Sequence, residues 1–367
     1  MINGAASIPW KWSENPLVDD AILRFQRILG TPTGFSDGFK SACMSLRVLV
    51  TGSSGFIGTH LLRQFRAAGW SALGIGRRPL NEPDYLPHDL VRPLPVDLGR
   101  PFDVVVHAAA RSNPWGTRRQ FEDDNVTATR NVIDFCQQNG NPRLIYISSS
   151  SVYYRPRHQF EITEETPLPS RHVNLYAATK RKAEDLVRQY PGPWVILRPR
   201  AVFGPGDTVL LPRIIRAAQQ GRLPVLYSPD GPVVGDLIYI DNLVDAVCQS
   251  TDQRISGVFN LTNNEPVPIL DFLFTVFDRL GIDRPKRRIS AKTAMIMAGG
   301  LETFHRLFLP RTEPAITRFG VHVFRYSKTF DVSRANAHFG LPRISLDEGL
   351  NRTVDWFRLQ LQEATTP

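Results

Sequence analysis

Three cysteines in 367 residues, Cys43, Cys136 and Cys248, are too few and too widely spaced for a disulfide framework or a metal-ligand cluster. That pattern suits a reducing compartment, and the cytoplasm is the expected location. No metal site is expected. No uninterrupted apolar run reaches the length of a membrane span, so none is expected. The first residues include Trp10, Lys11, Trp12 and Glu14 and lack an apolar core, which argues against a signal peptide. Internal repeats and low-complexity tracts are also missing. Acidic residues fall short of basic ones, 35 against 44, for a net charge of +9. Such an excess suits anionic small molecules. A nucleic-acid partner is not expected, because the basic residues are scattered and the densest run, Arg284 to Arg288, has no interleaved aromatics.

What is present begins in earnest at Met44. Residues 1–43 show no sustained period apart from a short helical candidate over Asp19–Leu29. They read as an N-terminal extension outside the core, with Met44 as an alternative start. Beyond it, apolar β-type runs alternate with helical patterns, which predicts an α/β fold built on a doubly wound parallel sheet. Strands are expected at Val48–Val50, Ser71–Gly76, Asp103–His107, Arg143–Ser148 and Val195–Arg198. The sheet domain is expected over 44–205. Residues 206–367 are expected to form a smaller, mainly substrate-binding part interleaved with it.

The stretch "VLVTGSSGFIGTH" carries the first chemistry. A short apolar strand stops at Gly52, and Gly55 and Gly58 follow at intervals of three. Gly52 permits a tight turn, Gly55 lets a ligand approach the backbone, and Gly58 lets the next helix pack on the strand. The helix places Ile57, Leu61, Leu62 and Phe65 on one face. Its N-terminus offers unpaired N–H groups to a phosphate. Gly52, Ser54, Gly55, Phe56, Ile57 and Gly58 are therefore candidate dinucleotide-binding residues.

Three further pieces belong with that turn. Tyr176 and Lys180 in "YAATK" lie four apart, so on a helix they share a face. A phenol with an ordinary pKa of about 10 needs a neighbouring ammonium to act near neutrality. The run Ser148–Ser151 at a strand end offers hydroxyls to a substrate oxygen. Ala108, Ala109 and Ala110, just after "VVVH", leave room for the nicotinamide end of a cofactor.

Together these motifs give the chain a resemblance to the extended short-chain dehydrogenase/reductase superfamily, the epimerase/dehydratase type. It spans about residues 46 to 358 through "VTGSSGFIG", "HAAA", "NVTATRNVI", "YISSSSVYY", "YAATKRKAE", "LRPRAVFGPGD", "DLIYIDNLVDA" and "SLDEGLNRTVDWF". The resemblance implies a Rossmann sheet and an NAD(P)-dependent enzyme. It makes Ser149, four residues before Tyr153, the catalytic hydroxyl. It makes Tyr176 the acid/base and Lys180 its partner, which also holds the nicotinamide ribose. It carries Asp89 and Leu90 to the adenine, and Pro199 to the cofactor.

The second strand ends in "GIGRRP", with Arg77 and Arg78 where NAD enzymes usually place an acid. Arginine forks suit a 2′-phosphate, so NADP(H) is favoured over NAD(H). For the substrate, Ser150 and Ser151 stand where similar dehydratases carry Asp-Glu. Gly235 stands where sugar-nucleotide enzymes carry an arginine for the diphosphate, although Arg213 or Arg216 could compensate. Asn242 replaces a frequent Asp, and the C-terminal tail resembles the 3β-hydroxysteroid dehydrogenase and β-keto acid reductase branch. The apolar stretch Ala291–Phe308 reads either as cover for a lipophilic ligand or as a core or dimer helix. The expected activity is interconversion of a secondary alcohol and a ketone on a small, acyl- or sterol-like substrate. A sugar-nucleotide 4-epimerase with retained NAD is the first alternative, and a non-catalytic dinucleotide-binding regulator the second. A homodimer is left open.

Overall fold

The computed structural model describes residues 45–365 apart from 114, 228–230 and 310–311. The expectations for residues 1–43 and for Met44 lie outside the described residues.

Seven parallel strands form the central sheet: β1 (Arg47–Thr51), β2 (Ser71–Gly76), β3 (Tyr85–Pro87), β4 (Val104–His107), β5 (Arg143–Ile147), β6 (Trp194–Pro199) and β7 (Gly257–Leu261). Their order across the sheet is β7-β6-β5-β4-β1-β2-β3. The direction of winding reverses between β1 and β4, which opens a crevice at the carboxyl ends of those two strands. The glycine turn follows β1 and the three alanines follow β4, so sequence places both at that crevice.

The strands are buried on both faces. In β1, Val48 and Val50 point into a cluster with Leu61 and Phe65, while Leu49 points into another with Val132 and Cys136. Full burial of such side chains contributes about 1.5–3 kcal/mol each, which is why a run of β-branched residues chooses this position. Leu61, Leu62 and Phe65 lie on the inner face of α1 (Phe56–Ala67), and Phe65 stacks on Trp70 with ring centroids 5.1 Å apart. On the other side of the sheet lie α2 (Ala128–Gln138) and α3 (Leu175–Arg188).

The second region is smaller and more broken. It contains α4 (Leu211–Gln219), α5 (Ile269–Leu280), α6 (Ala291–Phe308) and α7 (Arg318–Val323). A four-stranded sheet ties the regions together, with Gln159–Ile162 pairing parallel to Lys328–Phe330. Residues beyond 205 also supply β7 to the central sheet. Among the described residues no helix is long and apolar enough to cross a membrane, and no cluster of His, Cys, Asp or Glu could hold a metal ion.

Candidate active site

The turn after β1 is dictated by space. Gly52 has φ +72°, and a Cβ there would lie 2.6 Å from the Ala109 Cα. A Cβ on Gly58 would lie 2.6 Å from the Ser53 Cα, so only glycine lets α1 start this close to β1. Gly55 is the N-cap of α1 and offers no side-chain cap. The first-turn amides of α1 therefore keep their positive dipole end for an anion.

That turn forms one end of a cavity of about 840 Å³. The whole set of candidate residues lines it. The turn contributes Gly52, Ser54, Gly55, Phe56, Ile57 and Gly58. The end of β2 contributes Arg77 and Arg78, and the loop after β3 contributes Asp89 and Leu90. Ala108 and Ala109 follow β4, Ser149 follows β5, Tyr176 and Lys180 come from α3, and Pro199 ends β6. These positions are scattered over 148 residues of sequence, and the crevice at the switch point brings them together.

Asn174 caps α3 by accepting the Ala177 N–H at 2.8 Å, so Tyr176 sits in the first turn and Lys180 one turn on. Ser149 caps the short 3-10 turn Ser150–Tyr153, accepting the Ser151 N–H at 3.2 Å. Burial pushes the Tyr176 phenol up, and a hydrogen bond with Ser149 pulls it back. Burial also pulls the Lys180 ammonium down to about 7, with Glu184 working the other way. Lys180 Nζ donates to the Ile147 carbonyl at 2.6 Å and lies 4.6 Å from the Tyr146 ring centroid. In this arrangement Ser149, rather than Lys180, is the group that opposes the upward push on Tyr176.

A third residue on the same face of α3 fixes the helix. Glu184 is fully buried and pairs with Arg198 of β6 at 2.5 Å, while the Ser148 hydroxyl donates to it at 2.6 Å. Burial disfavours this carboxylate, but Arg198 and Ser148 more than offset that and hold it below the usual range. The network clamps α3 onto β5 and β6, and so sets where Tyr176 and Lys180 point.

Asn125 opens the "NVTATRNVI" stretch, where no spacing in the sequence marks it as a site residue. It sits in a wide π-helical turn, Glu122–Thr127, ahead of α2. Its Oδ1 accepts the Arg111 N–H at 2.7 Å and its Nδ2 donates to Thr179 Oγ1 at 2.9 Å. Helical bulges of this kind often re-aim side chains at functional sites. Here the bulge ties the loop after β4 to α3. His107 lies deeper, between Thr51 Oγ1 at 2.7 Å and Thr129 Oγ1 at 3.0 Å. Burial pushes it to about 3, so it is a neutral spacer under the crevice.

At the end of β2, Arg77 pairs with Asp124 at 3.2 Å, and its side chain is 59% exposed. Arg78 donates to the Ser54 carbonyl at 2.9 Å. Asp89 accepts the Val91 N–H at 3.2 Å, and Leu90 is buried.

The far end of the cavity is walled by apolar side chains, among them Ile214, Leu223, Leu273, Phe319, Val323 and Phe324. The stretch Ala291–Phe308, read as a cover for a ligand, forms α6 and contributes nothing to this wall. Gly235, where sugar-nucleotide enzymes would carry a diphosphate arginine, does not line the cavity; it lies against Ile269, whose Cδ1 would be 2.9 Å from a Cβ there. Arg213 does line the cavity, paired with Glu313, and Arg216 does not line it.

Arg200, just past β6, is the other residue the sequence reading passed over. It lines the cavity with Asp236 and makes no side-chain hydrogen bond or ion pair among the described residues. Its Nε is buried without a partner. Burial pulls the guanidinium down, and Tyr154 and Asp236 oppose this. Burial lifts Asp236 to about 6, and its Oδ1 also lacks a partner. Two polar groups in an apolar wall with unused hydrogen-bonding capacity mark a place for a polar ligand group.

Known proteins show the same organisation. Residues 48–261 match the NAD dependent epimerase/dehydratase family. The 2-alkyl-3-oxoalkanoate reductase of Shewanella oneidensis is 31% identical over 327 residues, covering 83% of this chain and 84% of that protein. The 3beta-hydroxysteroid-dehydrogenase/decarboxylase isoform 1 of Arabidopsis thaliana is 33% identical over 273 residues, covering 70% of this chain and 62% of that protein. The structure of MoeE5 in complex with UDP-glucose and NAD is 26% identical with a TM-score of 0.68, covering 86% of this chain and 99% of that one. The glycine turn, the doubly wound sheet and these matches lead to one conclusion: the chain belongs to the NAD dependent epimerase/dehydratase family of extended short-chain dehydrogenases and reductases.

Proposed function

We propose that the protein is an NADP(H)-dependent oxidoreductase that interconverts a ketone and a secondary alcohol on a lipophilic 3-oxo acid. The observation that carries this reading is the composition of the cavity: Ser149, Tyr176 and Lys180 line it together with an apolar wall, and the position of a diphosphate arginine holds Gly235. The names of the relatives, a 3-oxoalkanoate reductase and a hydroxysteroid dehydrogenase, support the class.

The residues fit a dinucleotide, because Gly52 and Gly58 leave no room for side chains and the uncapped start of α1 faces the cavity. Bound there, a nicotinamide dinucleotide supplies or takes up the hydride at the substrate carbon. Tyr176 holds the proton that the substrate oxygen gains or loses. Ser149 donates a hydrogen bond to that oxygen and fixes its direction. The Ser149 hydrogen bond also opposes the upward push of burial on Tyr176, and Lys180, one turn along α3, is left to hold the ribose of the nicotinamide. Arg77 and Arg78 support the preference for NADP(H), since no carboxylate ends β2 to accept from a ribose hydroxyl. Arg200 receives the carboxylate of the 3-oxo acid, because its guanidinium lines the cavity and its Nε has no partner in the protein.

A sugar-nucleotide epimerase would use the same three central residues, and MoeE5 binds UDP-glucose. Gly235 at the position of the arginine weighs against that reading here. The test is a substrate panel. NADPH oxidation with a 2-alkyl-3-oxo acid, and none with a UDP-sugar, supports the proposal. Epimerisation of a UDP-sugar without added cofactor overturns it. Arg200→Met should raise KM for the acid about tenfold or more and leave a neutral ketone of equal length unaffected.

A further inference from the structure

The helix α6 (Ala291–Phe308) is amphipathic the wrong way round for a surface helix. Its buried side consists of Ala291, Ala294, Ala298 and Glu302. The larger side chains point outward: Ile296 is 69% exposed, Phe304 49%, Leu307 70% and Phe308 67%. They recur at the spacing of one helical face. Single exposed apolar residues are ordinary, but a contiguous stripe of this kind marks an interaction surface.

Charge names the partner. Lys286, Arg287 and Arg288 precede the helix, Lys292 lies in its first turn and Arg306 in its last, and each is exposed. None of these five forms an ion pair among the described residues. From 283 to 308 the acidic residues are Asp283 and Glu302, and Glu302 is buried against Arg318 at 2.9 Å. A second copy of the chain meeting this face across a two-fold axis would bring the same cations together. An anionic surface with an apolar interior satisfies both features at once.

We propose that α6 docks in the plane of an anionic lipid bilayer, its Ile296–Phe308 face in the acyl boundary and its flanking cations at the headgroups. The inward side of α6 packs Ala294 and Ala298 on Val321 of α7. Phe319, Gly320 and Val323 of α7 line the cavity. The docked face is thus one helix away from the apolar end of the cavity. The docking stands without the proposed reaction; only the advantage of drawing lipophilic substrate from the bilayer rests on it.

The test is co-sedimentation of the full chain with vesicles of phosphatidylglycerol and phosphatidylcholine in equal parts, against phosphatidylcholine alone, at physiological salt. Binding to the anionic vesicles should exceed that to the neutral ones by about tenfold or more. The Phe304→Ser, Leu307→Ser, Phe308→Ser variant should lose about tenfold or more of that binding. Its melting temperature should stay at the wild-type value, since all three side chains are exposed. The Lys286→Gln, Arg287→Gln, Arg288→Gln variant should weaken binding to anionic vesicles and leave the neutral ones unchanged. Failure of the full chain to bind, or binding that the serine variant retains, overturns the proposal. So does size-exclusion showing a wild-type dimer that the serine variant converts to monomer.

Discussion

The two ends of the cavity are built on different principles. At the proposed cofactor end, backbone makes the site: Gly52 and Gly58 are held by contacts too close for any side chain, and the first-turn amides of α1 have no side-chain cap. At the proposed substrate end, side chains make the wall: Ile214 comes from α4, Leu223 follows it, Phe319 comes from α7 and Phe324 follows α7. A backbone site tolerates few alternatives and so stays the same across many enzymes. A side-chain site can be re-lined one residue at a time without disturbing the sheet. The proposed acid/base Tyr176 and Lys180 join the two from α3, which the Glu184–Arg198 pair fixes.

The largest effect expected at that junction is on the proton. Tyr176→Phe should lower turnover about a hundred- to ten-thousand-fold. Dinucleotide affinity, measured by calorimetry, should stay near the wild-type value, because the cofactor end is left intact. Near-full activity in this variant would remove the role of Tyr176. The clamp beneath it comes next. Glu184→Ala leaves Arg198 buried without its partner, which should cost about 3–5 kcal/mol of stability in a denaturant titration. A loss below about 1 kcal/mol would mean that the pair behaves like a surface ion pair.

A smaller effect separates the cofactor end from its own rim. Wild-type protein should bind NADPH more tightly than NADH by about five- to a hundred-and-fifty-fold. The Arg77→Ala, Arg78→Ala double variant should keep its NADH affinity and lose most of the preference. Equal affinities in the wild type would leave the arginines to Asp124 and the Ser54 carbonyl, the partners they already hold.

The last effect is on pH dependence behind the proposed substrate end. Lys328 is buried against Tyr154, 4.4 Å from its ring centroid, and burial pulls it down to about 7. Its unfolded value is about 10.4. Between those two values the unfolded chain holds a proton that the folded chain has shed, so stability should rise with pH across that window. Lys180, also near 7, adds to the same slope. Lys328→Met should flatten the rise in melting temperature from pH 7 to about 10. An unchanged slope would exclude Lys328 as a contributor.

The same division decides what could be read from sequence. Gly52, Gly55 and Gly58 were legible because turn, close approach and helix packing each demand glycine at a fixed interval. Tyr176 and Lys180 were legible because four residues make one helical turn. Arg200 was not, because one arginine after a strand has no spacing to betray it; only the lack of partners in the folded wall singles it out. Asn125 escaped for a related reason. Its role depends on a π-helical turn, which has no sequence period. Ala291–Phe308 reads as ligand cover or as a core or dimer helix, because apolar content alone does not say which side faces in. The alanines, being small, face in, and the large residues face out.

The most direct test of the central claim is steady-state NADPH oxidation by wild type and Arg200→Met, each with a 2-alkyl-3-oxo acid and with a neutral ketone of the same chain length. The account expects the wild type to reduce both and to favour the acid through a lower KM. Arg200→Met should erase that advantage while leaving the ketone rate in place. Failure of the wild type to reduce either compound would contradict the oxidoreductase reading of Ser149, Tyr176 and Lys180.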